Sequence, residues 1–198
     1  MGTNSTSSYG MYIVIVKPAP ASLIDKLVAN NNEQFWSVET NLQQGDLQYG
    51  DRAFTFTTIP DSVAGCDWIR NANGSKGVTT GTVATFTVTE DVYAYLALST
   101  NITVKPDWIS TGWEDTGENI VNSETSPKTY RLHHRYYPEG STVTLGVNGS
   151  TSYGMYNIIV KKASQVKVQI GDVIIKKGAK SECTSKTEHN RKRGGGGI

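Results

Sequence analysis

RAFTFTTI, residues 52–59, alternates strictly. Ala53, Thr55 and Thr57 fall on one face, Phe54, Phe56 and Thr58 on the other, and Pro60 ends the run. A period of two marks a strand, and proline stops one because it cannot donate to the ladder. The same grammar recurs outward from this stretch. On the N-terminal side, FWSVETNL (35–42) alternates in strand fashion, while LIDKLVA (23–29) offers a short helical stretch broken by Asn30-Asn31-Asn32. On the C-terminal side, DWIRNAN (67–73) leads into the loop GSKGVTTG (74–81). VATFTV (83–88) and DVYAYLAL (91–98) are separated by two residues, which predicts a hairpin, though without the usual glycine. TYRLHHRYY (129–137), STVTLGV (141–147) after the turn Pro138-Glu139-Gly140, and MYNIIV (155–160) complete the set. Seven or more short strands and no long helix predict an all-β fold, an antiparallel β-sandwich of jelly-roll or Ig-like type.

A repeat sets the organisation. Residues 2–17, GTNSTSSYGMYIVIVK, return as residues 146–161, GVNGSTSYGMYNIIVK, with ten of sixteen positions identical at an offset of 144. That offset is a domain's length, well beyond solenoid periods. Residues 1–18 therefore read as the terminal strand of a preceding copy, 19–22 as a stiff linker, 23–162 as one complete module, and 163–198 as a basic tail without order. That tail is polar and Gly-ended, the composition of a disordered end and not of a nucleic-acid arm. Residues 161–198 carry ten Lys or Arg against three acidic residues, whereas residues 1–160 carry nine against fifteen. No apolar run approaches a membrane span, so neither a membrane nor a nucleic acid is expected as partner. The start has no charged region followed by an apolar stretch, which a signal peptide needs. Cys66 and Cys183 make neither a disulfide framework nor a metal-ligand pattern. No cofactor and no metal are expected.

The stretch from Trp36 to Lys161 resembles a module appended in tandem to bacterial pectate lyases and related secreted polysaccharide-degrading enzymes. The resemblance rests on WSVETNLQQGDLQYGDRAFTFTTIP (36–60), GCDWIRNANGSK (65–76), KPDWISTGWEDTG (105–117) and YPEGSTVTLGVNGS (137–150), about two-thirds of the chain. It implies a non-catalytic carbohydrate-binding module, a plant cell-wall polysaccharide such as pectin as ligand, a catalytic domain in the parent chain, and a secreted or extracellular location. Two departures stand out. Where relatives often carry an acidic-basic turn before the Pro-x-Trp, this chain has Ser99-Thr100-Asn101. In the tail, Gly171-Asp172-Val173 runs into Ile174-Ile175-Lys176-Lys177, without the oxygen ligands that a calcium loop requires.

Aromatic rings bind sugars because a pyranose C–H face lies flat on a ring without unsatisfying its hydroxyls. Trp108 and Trp113 follow Pro106 in a turn-rich loop and are the first candidates, packing beneath the loop being their alternative role. Trp36 and Trp68 read as core. Lys105, Lys128, Arg131 and Arg135 form a basic set that suits uronate carboxylates. On a regular strand Arg131, His133, Arg135 and Tyr137 share a face; the alternative is an ordinary solvated face. The ligand-binding candidates are thus Trp108, Trp113, Lys105, Arg131, Arg135 and Tyr137. Asn71, Asn73 and Lys76 offer either hydrogen bonds to sugar hydroxyls or turn chemistry and read as the latter, and Cys66 as an inert small residue. The sequons at Asn4, Asn73, Asn101 and Asn148 arise by chance in an Asn- and Thr-rich chain.

No catalytic residue is nominated. His133 and His134 point to opposite faces, and no nucleophile elbow, phosphate loop or zinc motif is present. Glu114, Asp115 and Glu118 cluster in an apparent loop, where a glycosidase would need two carboxyls held across a cleft. The competing function is a spacer module with no ligand. The repeat carries one further expectation. YGMYIVIV (9–16) can replace YGMYNIIV (153–160) in a neighbouring molecule, giving a strand-exchanged homo-oligomer. It competes well where residue 157 points to solvent, and poorly where Asn157 points inward with its amide bonded. Light scattering at high concentration should show the full chain associating and a chain beginning at Ala19 remaining monomeric; two monomers rule the exchange out.

Overall fold

The computed structural model describes residues 21–163, 168–170 and 173–175. The repeat copy at 1–18 and most of the tail lie outside them. The body is an antiparallel β-sandwich of a small and a large sheet. Strands β1 (Ile24–Ala29), β5 (Thr82–Val88) and β9 (Thr142–Gly146) form the small sheet in the order β1-β5-β9. The large sheet joins β2 (Ser37–Glu39), β3 (Phe56–Thr58), β4 (Asp67–Arg70), β6 (Val92–Ser99), β7 (Glu114–Asn122), β8 (Thr129–Tyr137) and β10 (Asn157–Lys162) in the order β2-β4-β10-β6-β8-β7-β3. In the tail expected to lack order, β11 (Val168–Ile170) and β12 (Val173–Ile175) pair antiparallel.

The large sheet is covered on both faces. On its inner face Ala94, Leu96, Ile158 and Val160 meet Phe86, Val88, Val143 and Leu145 of the small sheet. On its outer face Ile159, Ala97, Leu132 and Trp68 are covered by Leu42, Phe56, Ile59 and Val63 from the segment between β2 and β4. This is why β10 reads as an apolar run without alternation: Asn157 through Val160 are all fully buried. Phe56 meets Trp68 edge-on, with ring centroids 5.4 Å apart.

Three expectations are corrected. The stretch 83–98 is not a hairpin. Residues 89–91 carry the chain from one sheet to the other, so β5 pairs with β1 and β9, and β6 with β10 and β8. A two-residue hairpin turn needs positive φ, which Thr89, Glu90 and Asp91 do not adopt. Residues 24–29 are strand and not helix. Lys26 stands at φ 51 and bulges β1 between Asp25 and Val28 on the edge of β5, so sheet pairing overrides the local helical preference. The alternating run 52–59 contributes only Phe56–Thr58 to a strand. Phe54 packs into the inner core and Phe56 into the outer one.

Asn157 points inward with its amide bonded. Its Nδ2 donates to Gln48 O (3.1 Å) and Asn71 Oδ1 (3.2 Å), and Gln48 Nε2 donates to Asn157 Oδ1 (2.8 Å). Asn122 Nδ2 donates to Gln48 Oε1 at 2.9 Å. Asn71 Nδ2 donates to Tyr156 O. Tyr49 Oη lies 3.0 Å from Tyr130 Oη and donates to Met155 O at 2.7 Å. Strand exchange would bring Ile13 into this slot and strand the Gln48 and Asn71 groups. Asn157→Ala should lower stability by about 1–3 kcal/mol, the cost of leaving buried amide groups unpaired. Thr142→Ala on an exposed edge should change it by less than ~0.5 kcal/mol. Chemical denaturation checks both.

Candidate functional site

β8 delivers the face that its spacing predicted. Arg131, His133, Arg135 and Tyr137 stand opposite Leu98, Leu96, Ala94 and Val92 of β6, on the inner side of the large sheet. A short helix α1 (Asp107–Ser110) and the turn that follows place Trp108 and Trp113 beside β8. The Trp108 and Trp113 rings meet edge-on at 6.2 Å, and Trp113 meets Tyr137 edge-on at 6.3 Å. The Arg135 guanidinium lies over the Tyr137 ring at 5.4 Å. These four side chains line an open groove of about 680 Å³, whose rim includes Thr79, Thr80, Thr82 and Thr144.

The two tryptophans of the groove are buried to different degrees. Trp113 is 8% exposed and belongs to the core. Trp108 is half-buried, and its Nε1–H donates to Val147 O at 2.9 Å. Gly146 makes room for it, since a Cβ there would lie 2.6 Å from the indole. Tyr137 is half-buried and Arg135 exposed. Burial pushes the Tyr137 phenol above its ordinary range, so it remains a neutral hydrogen-bonding group. Arg135 donates weakly to Thr111 O (3.4 Å) and has no ion-pair partner among the described residues, which leaves donors for a ligand.

Lys105, Lys128 and Arg131 do not join this groove. Lys105 Nζ lies 2.7 Å from His133 Nε2. Burial, and then the Lys105 charge, push His133 below its ordinary range, so its neutral ring accepts from the ammonium. Arg131 pairs with Asp115 at 3.3 Å and donates to Gly117 O. The Gly117 N–H bond (2.9 Å), more than Arg131, holds the Asp115 carboxyl below its usual range. Lys128 opens into a separate cleft with Arg52 and Lys76. Glu114 and Asp115 lie on β7 and not in a loop; Gly117 at φ 81 bulges that strand, which hid its period.

Trp68 is core as expected, and Trp36 packs partly buried against the inner cluster. Asn71 and Asn73 are buried structural amides; Asn73 Oδ1 accepts from Met155 N at 3.0 Å. Asn148 is fully buried with its Oδ1 accepting from Tyr156 N. Burial raises the thiol pKa of half-buried Cys66. Sequence reasoning missed the threonine rim and Arg52, and read Lys76 as turn chemistry, whereas it lines a cleft with Arg52 and Lys128 that no local motif announces.

No family model and no curated protein matches the chain. Among solved structures its fold is similar to part of a β-glucuronidase from glycoside hydrolase family 2, at a TM-score of 0.62 and 20% sequence identity. The match covers 74% of this chain and 15% of the enzyme's chain. At that identity the likeness is one of fold: this antiparallel β-sandwich recurs as a small part of a carbohydrate-active enzyme.

Trp113→Ala should lower stability by about 3–5 kcal/mol, as expected for a core aromatic. Thr80→Ala on the exposed rim should change it by less than ~0.5 kcal/mol. Thermal melts of the two variants check this.

Proposed function

We propose that the chain is a non-catalytic, carbohydrate-binding accessory module of a larger secreted polysaccharide-degrading enzyme, with pectin or another plant cell-wall polysaccharide as its ligand. The observation that carries this reading is the open groove where Tyr137 and Arg135 stand beside Trp108 and a threonine rim. The ring offers a stacking face, the hydroxyls suit sugar hydroxyls, and the guanidinium holds a carboxylate or hydroxyl by charge-assisted bonds. An open groove admits an internal stretch of polymer, which suits a module that raises its enzyme's local concentration on an insoluble substrate. The fold's recurrence within a β-glucuronidase agrees with this role.

The spacer reading draws on the tryptophans. Trp113 is core and Trp108 is fixed by Val147 O and fitted over Gly146, so neither offers a free flat face. A spacer needs that packing and nothing more.

Retention of the chain on immobilised pectin, arabinan, galactan and xylan decides between them. With a binding module, Tyr137→Ala and Arg135→Ala weaken retention on one polymer while the melt is preserved. For the tyrosine the loss should be ~1–3 kcal/mol, by analogy with base stacking on rings. Equal retention of both variants removes the site from this groove. No retention of the unaltered chain on any polymer leaves the spacer.

A further inference from the structure

A second cleft, of about 260 Å³, is lined by Arg52, Lys76, Lys128, Glu124, Asn101 and Tyr153 among others. Its size is near the lower end of small-ligand sites, roughly 300 Å³. Its charge runs against that of the body, since residues 1–160 are acidic overall. Three cations face one carboxylate here, and that carboxylate is engaged, because Asn122 Nδ2 donates to Glu124 Oε1 at 3.0 Å. Arg52 is tied to Asp51 at 3.0 Å. Asp51 in turn is turned inward, accepting from the Asn73 and Gly74 N–H groups at 2.7 and 2.9 Å. The ammonium groups of Lys76 and Lys128 have no hydrogen-bond or ion-pair partner among the described residues. Two ammonium-bearing side chains without partners line one small concavity and concentrate positive charge there, which an anion relieves.

The cleft wall also carries the chemistry of a sugar site. Tyr153 is 42% exposed, one of the few large apolar side chains the described body leaves open. The Asn101 amide and the Ser152 hydroxyl flank it as exposed hydrogen-bonding groups. A ring, polar side chains and two cations without partners together suit a saccharide bearing a carboxylate better than a bare inorganic anion, which has no use for the ring. Resting on the carbohydrate-binding reading above, we propose that this cleft is a second site, selective for a uronic-acid residue, whose carboxylate Lys76 and Lys128 hold while Tyr153 stacks on its ring.

Titration calorimetry of the full chain tests this with trigalacturonate, its methyl ester and inorganic phosphate as probes. Trigalacturonate should bind, and binding should weaken at least tenfold on methyl esterification and in the Lys76→Ala/Lys128→Ala double variant. It should weaken several-fold between 50 and 200 mM salt, as screening of partly exposed charges requires, and be unchanged in Thr142→Ala, which lies outside both the groove and the cleft. The proposal is overturned if the ester binds as well as the acid, if the double variant binds like the unaltered chain, or if phosphate binds as tightly as trigalacturonate. The two sites fail separately. Polymer retention that depends on Tyr137, with no binding of trigalacturonate, sinks this cleft and leaves the groove. The reverse pattern sinks the groove alone.

Discussion

Gln48 and Asn157, facing each other in the buried outer layer, exchange hydrogen bonds through side chain and backbone, and much of the body is registered on that exchange. Asn157 opens β10, the strand between β4 and β6 in the middle of the large sheet. Gln48 belongs to the segment that closes the sheet's outer face. Asn122 ties the same cluster to β7, Tyr130 to β8, and Asn71 to the end of β4. A purely apolar layer tolerates sliding; amides buried without water must find their partners, and only one register provides them. Gln48, Asn71, Asn122 and Asn157 are at most 1% exposed, so a slip by one residue would leave several unpaired groups at about 1–3 kcal/mol each.

Strand content was legible wherever one physical signal dominated. β8 runs from Thr129 to Tyr137, as its sequence reads, because the nine positions are rich in aromatic residues and hold no Gly or Pro to break the run. β5 and β9 are close to their predicted limits for the same reason. β7 escaped notice because Gly117 and five polar or acidic residues between Glu114 and Asn119 disguise a bulged edge region. β1 escaped because its helical-looking composition yields to the edge of β5. The crossing at 89–91 was illegible in kind: sequence shows that two strands are near neighbours in the chain, not which sheet each enters.

The site shows the same division. The shared face of Arg131, His133, Arg135 and Tyr137 follows from strand geometry alone. What each residue does there depends on what the rest of the chain brings to it. β7 supplies Asp115 and Gly117, which engage Arg131. The approach to α1 supplies Lys105, which engages His133. Only the end of β8 beyond those partners stays open, and there Arg135 and Tyr137 meet the tryptophans. Arg52 and Lys76 reach Lys128 from two loops far apart in the chain, a convergence that no local pattern announces. The repeat, by contrast, becomes intelligible in hindsight. Among its identical positions are Gly146, which accommodates Trp108, Asn148, which bonds Tyr156, and Met155 and Tyr156, which are fully buried.

The central place of β10 also has a consequence in time. A ribosome makes β4 and β6 long before residues 157–162, so the emerging chain passes through a stage in which the large sheet lacks the interior strand that joins them. Most of its partners must wait for a contact that is remote in sequence, the kind that slows folding most. During that wait the chain has already produced YGMYIVIV, six of whose eight residues match YGMYNIIV. Asn157 then acts as a password given late: the early copy offers Ile13 where the waiting Gln48 and Asn71 need an amide, and the vacancy is kept for the strand made after the rest of the sheet.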